Sequence, residues 1–306
     1  MVAESVVARR HHYGQFYGLE PIVPGGRRVT LVYGNCQAES IRVVLEASSD
    51  ELLAVRMPPV HELEREDLPH LTALLEQTDL LIAQPVRDDW RDLPLGTAQI
   101  GRLARRAQPT IGVPVIRHTG LHPHGALVRT PWMGDPPTVP YHDLRTILAV
   151  ARGGDRPTGH GRADGYRAVE AASIAELRRR EERHGLVPAS DLLRPAGIDA
   201  MHTINHPGNA VLVPLAGRLL AAAGIDAPPV DPGRTLLASI QAPLRRDVLE
   251  ALDLDPAAAR ETWQVGGRSI DDETIAADQC PWYRDRAPVV QAALDRYAPA
   301  IEALGL

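Results

Sequence analysis

The sequence predicts an α/β fold: a short, mostly parallel sheet flanked by many helices, with a helical C-terminal part. Three observations predict it. Short apolar runs, Val29–Tyr33 and Thr78–Ala83, have the length and composition of buried strands. Between such runs lie stretches with apolar residues three and four apart, the spacing of a helix with one buried face. Finally, Arg28–Ala47, RVTLVYGNCQAESIRVVLEA, reads as strand, sharp turn and helix in one stretch, with Gly34 and Asn35 breaking the strand.

That stretch puts Cys36 where a strand ends and a helix begins. The first N–H groups of a helix have no intrahelical acceptor, and the helix dipole is positive there. A thiol at such a point is favoured as the thiolate, the form that attacks carbonyls. The same N–H groups can hold the oxyanion of a tetrahedral intermediate. The competing reading is that Cys36 is a small buried hydrophobe under the helix.

Composition narrows the classes. The chain has 306 residues, two cysteines and a net charge of −6. Two cysteines make no disulfide framework, and a reducing cytoplasm is expected. No apolar run has bilayer length, and the first residues lack a signal-peptide core. The negative charge argues against a general nucleic-acid binder. There is no lysine, so a lysine Schiff base and a P-loop lysine are excluded.

In order, residues 1–27 read as an N-terminal arm or short added helix, carrying His11 and His12. Residues 28–224 read as the α/β catalytic domain, and 225–306 as a helical extension packed on it. Leu52–Val55 is a second strand, Leu68–Gln77 a helix and Thr78–Ala83 a third strand. The last runs into Gln84-Pro85-Val86-Arg87. Loops at strand carboxyl ends build the sites of parallel sheets, which places Gln84 and Arg87 at the crevice of Cys36; a turn residue before proline is the alternative for Gln84. Leu95–Arg106 reads as a helix and Thr110–Ile116 as a strand, with Pro114 marking an edge or irregularity. His118, His122 and His124 follow. Such clustering invites a zinc reading, but no His-Glu-x-x-His or cysteine pair supports it, and pocket-lining loop histidines are preferred.

Residues 130–140 form a proline-rich loop, and Asp143 is placed to cap the helix Leu144–Ala151. Gly153–Gly165 reads as a linker and Ala168–His184 as a helix. In Ile198–Gly224, Asp199, His202 and His206 precede an apolar helix, Val211–Ala223. A cysteine nucleophile needs a base, usually histidine, and a carboxylate can orient it. Thr235–Gln241, Arg245–Leu252 and Ala287–Leu304 read as helices, and Cys280 as a packing residue.

Gly34-Asn35-Cys36-Gln37, Gln84-Pro85-Val86-Arg87, Tyr141-His142-Asp143-Leu144-Arg145 and Asn205-His206-Pro207 occur in one order across residues 28–224. The set resembles the signature of the WcbI-like polysaccharide-biosynthesis proteins, a family linked to acetyl-CoA-dependent acetylation of capsule sugars. The layout is also similar to the SGNH hydrolases, with Asp199-Ala-Met-His202 in the spacing of their Asp-x-x-His. It departs from them in having Cys36 as nucleophile and no Gly-x-Asn-Asp.

The resemblance implies coenzyme A or acyl-CoA as substrate and acyl transfer to a hydroxyl or amine of a saccharide or secondary-metabolite acceptor. No metal, nucleic acid or membrane insertion is expected. The expected catalytic set is Cys36 with His206 or His202 as base, and the backbone N–H groups near Cys36 and Gln37, with the side chain of Asn35 or Gln84, at the oxyanion. Gly34, Gln84, Arg87, Arg91, His118, Tyr141 and His142 are the implied coenzyme A contacts, the arginines and His118 toward its phosphates. A Cys–His thioester or ester hydrolase is the alternative. A His118–His122–His124 metal enzyme and a non-catalytic sugar or nucleotide binder stand behind it.

Overall fold

The computed structural model describes residues 2–107, 109–128, 133–157 and 161–306. Parts of two predicted loops, at 130–132 and 158–160, lie outside the described residues. Two compact units interleave along the chain: residues 1–115, 178–192 and 209–236 form the first, and 116–177, 193–208 and 237–306 the second. The segments 28–224 and 225–306 each contribute to both. Among the described residues, no helix is long and apolar enough to cross a membrane.

The first unit is built on a parallel sheet of β1 (Arg28–Tyr33), β2 (Leu52–Val55), β3 (Leu80–Ala83) and β4 (Ile111–Gly112), in the order β2-β1-β3-β4. β1 pairs with β2 from Arg28↔Leu52 to Leu31↔Val55, and with β3 from Thr30↔Leu80 to Tyr33↔Ala83. β2 and β3 are buried along their whole length, which is why they are written as unbroken apolar runs. β4 pairs over two residues only, although the sequence predicts a strand over 110–116. Pro114 has no N–H to continue the ladder, and β4 lies at the edge as that proline requires.

Helix α1 (Val2–His12) and the residues after it are tied into this unit. Phe16 and Tyr17 join its core, and the Asp67 carboxylate accepts from Arg9 at 3.1 Å and from the Tyr17 hydroxyl at 2.8 Å. Burial alone would raise the Asp67 carboxyl, but the Arg9, Glu64 N–H and Tyr17 hydrogen bonds outweigh it and hold the group below the usual range. α2 (Cys36–Ser48) covers β1 and β2 and packs on the apolar helix Asn209–Ala222. α3 (Leu68–Gln77) and α4 (Thr97–Leu103) complete the unit around Leu31, Tyr33, Leu75, Leu81 and Leu95. The strand order reverses direction between β1 and β3. Ligands of open α/β sheets bind at such a switch point, beyond the strand carboxyl ends.

The second unit holds small antiparallel pieces and helices. Gly125–Ala126 pairs with His142–Asp143, and Met201–Thr203 with His206–Pro207. Thr262–Val265 and Arg268–Asp271 form a hairpin extended by Ile240–Gln241. The sequence reading predicts only helices in this region. Gly266 and Gly267 both have positive φ, the backbone a two-residue hairpin turn requires. Instead of the helix predicted at 235–241, Leu237 sits at φ 55° and Ile240–Gln241 joins the sheet. The helix Ala287–Leu304 appears as predicted.

A buried ion network organises this unit. Asp143 caps the helix Leu144–Arg152, its Oδ1 accepting from the Arg145 and Thr146 N–H groups at 2.8 and 3.2 Å. The Arg145 guanidinium returns to Asp143 at 2.7 Å and reaches Asp272 at 2.8 Å, and Arg156 bonds Asp272 at 2.7 Å. Burial would raise the Asp143 carboxyl, but Arg145 and Arg156 dominate and hold it well below the usual carboxylate range. Removing one partner of a buried pair strands the other charge, at about 3–5 kcal/mol. Arg145→Ala is therefore expected to destabilise the protein by about that amount in urea unfolding, whereas Arg106→Ala, removing a partner that is mostly exposed, should cost under about 1 kcal/mol.

Candidate active site

In the first unit, the β1–α2 turn is held by one side chain. Gln84, 1% exposed, follows β3 at the switch point. Its N–H donates to the Tyr33 carbonyl at 2.8 Å, continuing the sheet by one rung. Its Oε1 accepts from the Asn35 N–H at 2.9 Å, and its Nε2 donates to Gln37 Oε1 and to the Pro114 carbonyl, both at 3.3 Å. A Cβ at Gly34 would collide with the Gln84 amide, so glycine is needed there for close approach rather than for positive φ. The Gly34 carbonyl accepts from the Val60 N–H at 2.8 Å, closing the other side of the turn.

Asn35 is the N-cap of α2, its Oδ1 accepting from the Gln37 N–H at 2.9 Å. Cys36 is the first helical residue, half-buried and in no disulfide. This is the predicted address, but the predicted oxyanion donors are rearranged. The Gln37 N–H is occupied by Asn35, the Ala38 N–H donates to the Asn35 carbonyl at 2.9 Å, and the Gln84 amide is committed inside the unit. Capping fixes the Asn35 amide by its oxygen. Its NH₂ finds no hydrogen-bond partner among the described residues, which makes Asn35 Nδ2 the candidate donor at this turn.

The loop after Gln84 is tightly wound. Asp89, Arg91 and Asp92 all lie at positive φ, between 51° and 61°, an uncommon conformation for residues with a Cβ. Gln99 clamps it, donating to Asp89 Oδ1 at 2.7 Å and accepting from the Gly96 N–H at 2.9 Å. Arg87 lies over the Trp90 ring at 5.5 Å and has no ion pair among the described residues. Arg91 donates to the His61 carbonyl at 2.6 Å. Arg91 was singled out by sequence, but Trp90 and the left-handed Asp89 and Asp92 were not, and the crowding of Asp88, Asp89, Trp90, Arg91 and Asp92 between two elements was the available signal.

In the second unit, the Tyr141 hydroxyl donates to Asn205 Oδ1 at 2.9 Å and accepts from Thr203 Oγ1 at 2.9 Å. The His206 ring is half-buried and edge-on to Tyr141, 3.5 Å from its hydroxyl, and Tyr141 stacks on Trp263. Three motif residues, Tyr141, Asn205 and His206, thus converge, joined by Thr203 and Trp263, which sequence did not single out. His202 sits on the paired strand, its carbonyl accepting from the Ala242 N–H at 2.7 Å. Asp199 is exposed, and its carboxylate bonds neither histidine, so it is not their orienting group.

Four other histidines, His118, His122, His124 and His142, are buried. His142 Nδ1 faces the Tyr283 hydroxyl at 2.8 Å and Nε2 the Val128 carbonyl at 3.1 Å, leaving no ring nitrogen for coenzyme A. Burial lowers His118, His122 and His124 to about 4, so they are neutral at neutral pH. A neutral His118 offers no charge to a phosphate. Both His122 ring nitrogens face backbone carbonyls, those of Pro243 at 3.1 Å and Met201 at 3.3 Å. Among the described residues, no group of three or more His, Cys, Asp or Glu is arranged to hold a metal ion.

The fold and site define a switch-point α/β protein with a cysteine at its first strand–helix turn. The family model described as polysaccharide biosynthesis enzyme WcbI matches residues 29–228, and the chain belongs to that family. It is also similar to a solved structure described as WcbI, a novel polysaccharide biosynthesis enzyme, with a TM-score of 0.75 and 22% identity over 91% of this chain and 98% of that one. That description mentions coenzyme A and a cysteine of that protein, with no disulfide bond between them. No curated protein matches the chain.

Two outcomes follow from the geometry. Gln84→Ala removes the acceptor of the Asn35 N–H, and is expected to cost about 1–3 kcal/mol in denaturant unfolding. The lowered histidines bind fewer protons folded than unfolded between pH 6.5 and about 4. Stability should therefore be full above 6.5 and fall as pH drops, by about 1.4 kcal/mol per pH unit for each histidine. Urea midpoints measured across that window should fall less steeply for His122→Gln than for wild type.

Proposed function

We propose that the chain is a coenzyme A-dependent acyltransferase that moves an acyl group to a hydroxyl or amine of a saccharide or related small molecule. The carrying observation is Cys36 as first residue of a capped helix at the switch point, on a turn locked by Gln84. Membership of a family described as polysaccharide biosynthesis enzymes supports the acceptor class, and the mention of coenzyme A beside a cysteine of the similar structure supports the donor.

In this reading the Cys36 thiol gives its proton to a histidine base, and Sγ attacks the thioester carbonyl. The Asn35 NH₂ and the positive end of α2 stabilise the negative oxygen of the tetrahedral intermediate. The bond to the coenzyme A sulfur breaks, and that sulfur takes the proton from the histidine. The acceptor O–H or N–H then gives its proton to the same base, attacks the acyl carbon and releases Cys36. His206 is the preferred base, with His202 second, both assigned by motif. The Tyr141–Asn205–Thr203 bonds hold the hairpin that carries His206. Arg87, its guanidinium over Trp90 and in no ion pair among the described residues, is the candidate for a coenzyme A phosphate.

Release of free coenzyme A from acetyl-CoA in the presence of a sugar acceptor tests the reading. Cys36→Ala and Cys36→Ser are each expected to lose activity by about 10³-fold or more, the scale seen on removing a nucleophile. Arg87→Ala should weaken coenzyme A binding roughly 10-fold or more with kcat nearly kept, as loss of a charge-assisted bond of about 1.5–3 kcal/mol implies. Full activity in both cysteine variants contradicts the reading.

A further inference from the structure

The second unit holds a cavity of about 470 Å³ whose lining includes none of the residues given a role in the proposed chemistry. Its lining is mixed: apolar surface from residues such as Leu121, Pro243 and Trp263 alternates with six carboxylates and three guanidinium groups among the described residues. His124 is part of that lining. It is only 5% exposed, yet its ring nitrogens find no hydrogen-bond partner among the described residues. The ring is nearly buried, lines the cavity and spends neither nitrogen on the described residues, so its donor and acceptor are left for whatever occupies the cavity. The ring is held in place edge-on to Tyr166, whose hydroxyl donates to Asp247 at 2.7 Å.

The character of the ligand follows from the wall. Asp143, Asp247, Asp272 and Glu273 are paired with arginines, while Glu261 and Asp271 are in no ion pair among the described residues and disfavour an anionic ligand on their side of the wall. A neutral His124 both donates and accepts, which matches a hydroxyl group. Around it, the paired Asp143 and Arg145, and Arg245 and Asp247, offer acceptors and donors side by side. Trp263 also lines the cavity, its Nε1 fixed on Asp272 at 3.0 Å and its ring stacked on Tyr141. Tyr141 is the residue against which His206 lies edge-on, so one aromatic ring separates this wall from the candidate base.

We propose that this cavity is a saccharide subsite, selective for neutral or amino-bearing sugars over acidic ones, with His124 bonding a ring hydroxyl. Calling the bound sugar the acyl acceptor rests on the acyltransferase reading; the binding itself does not.

Calorimetric titration of the full chain with glucosamine, glucose and glucuronate tests it. Glucosamine and glucose are expected to saturate, glucosamine about threefold or more tighter, with glucuronate weaker than glucose by about tenfold. His124→Phe should weaken glucose roughly tenfold. Glu261→Gln, at an exposed position of the lining, should reduce the glucosamine preference while sparing glucose. Cys36→Ala should leave all three affinities unchanged. The proposal is overturned if no sugar saturates up to about 50 mM, if glucuronate binds as well as glucosamine, or if His124→Phe and Glu261→Gln both bind like wild type. Sugar binding without acyl transfer would sink the acyltransferase reading and leave this subsite standing; transfer insensitive to both variants would do the reverse.

Discussion

The chemistry assigned to this chain depends on the bond between the Gln84 side chain and the Asn35 N–H. A turn that leaves a buried strand and enters a helix exposes backbone groups which must be satisfied or lost to solvent. Here a residue from the neighbouring strand end supplies the acceptor, and the same amide reaches Gln37 and Pro114. Three chain segments are thereby fixed around Cys36 by one buried amide. Gly34 is the counterpart of that arrangement, since any larger residue would displace Gln84. Pre-organisation of this kind lets a nucleophile meet its target without reorganising the site.

A different principle holds the second unit. Its apolar clusters are small and separate, and the Asp143–Arg145–Asp272–Arg156 network ties the helix Leu144–Arg152 to the helix Asp272–Arg284, which also share the apolar cluster of Ile147 and Tyr283. Buried pairs of this sort contribute modestly to stability when whole and fail badly when broken. The buried neutral histidines add a second vulnerability, to acid. Among the described residues of this unit, His118 Nδ1, Thr146 Oγ1 and Arg156 Nε are buried without a hydrogen-bond partner.

The sequence made the parallel core legible, because strands buried on both faces leave continuous apolar runs and α2 and α3 carry clear helical spacing. Cys36, Gln84, Tyr141, Asn205 and His206 were legible through their motifs. What the motifs did not convey is where each polar atom is spent. Gln84 and the Gln37 N–H were read as oxyanion donors, and both are consumed by the turn; the His142 ring is consumed by Tyr283 and Val128. The Gln37 N–H is lost to a local cap, whereas the Gln84 and His142 outcomes depend on contacts across 47 and 141 residues of chain, which no local pattern encodes. The hairpin at 262–271 was signalled by Gly266-Gly267 between two strand-like runs, and its third strand was set by tertiary pairing that overrode the helical appearance of 235–241.

Intact-protein mass after mixing with acetyl-CoA tests the central claim, that Cys36 takes the acyl group. The account predicts one acetyl adduct on the wild-type chain, absent from Cys36→Ala and discharged on adding an acceptor. A wild-type chain that binds coenzyme A without any adduct while transferring the acetyl group, or an adduct that persists in Cys36→Ala, would contradict it.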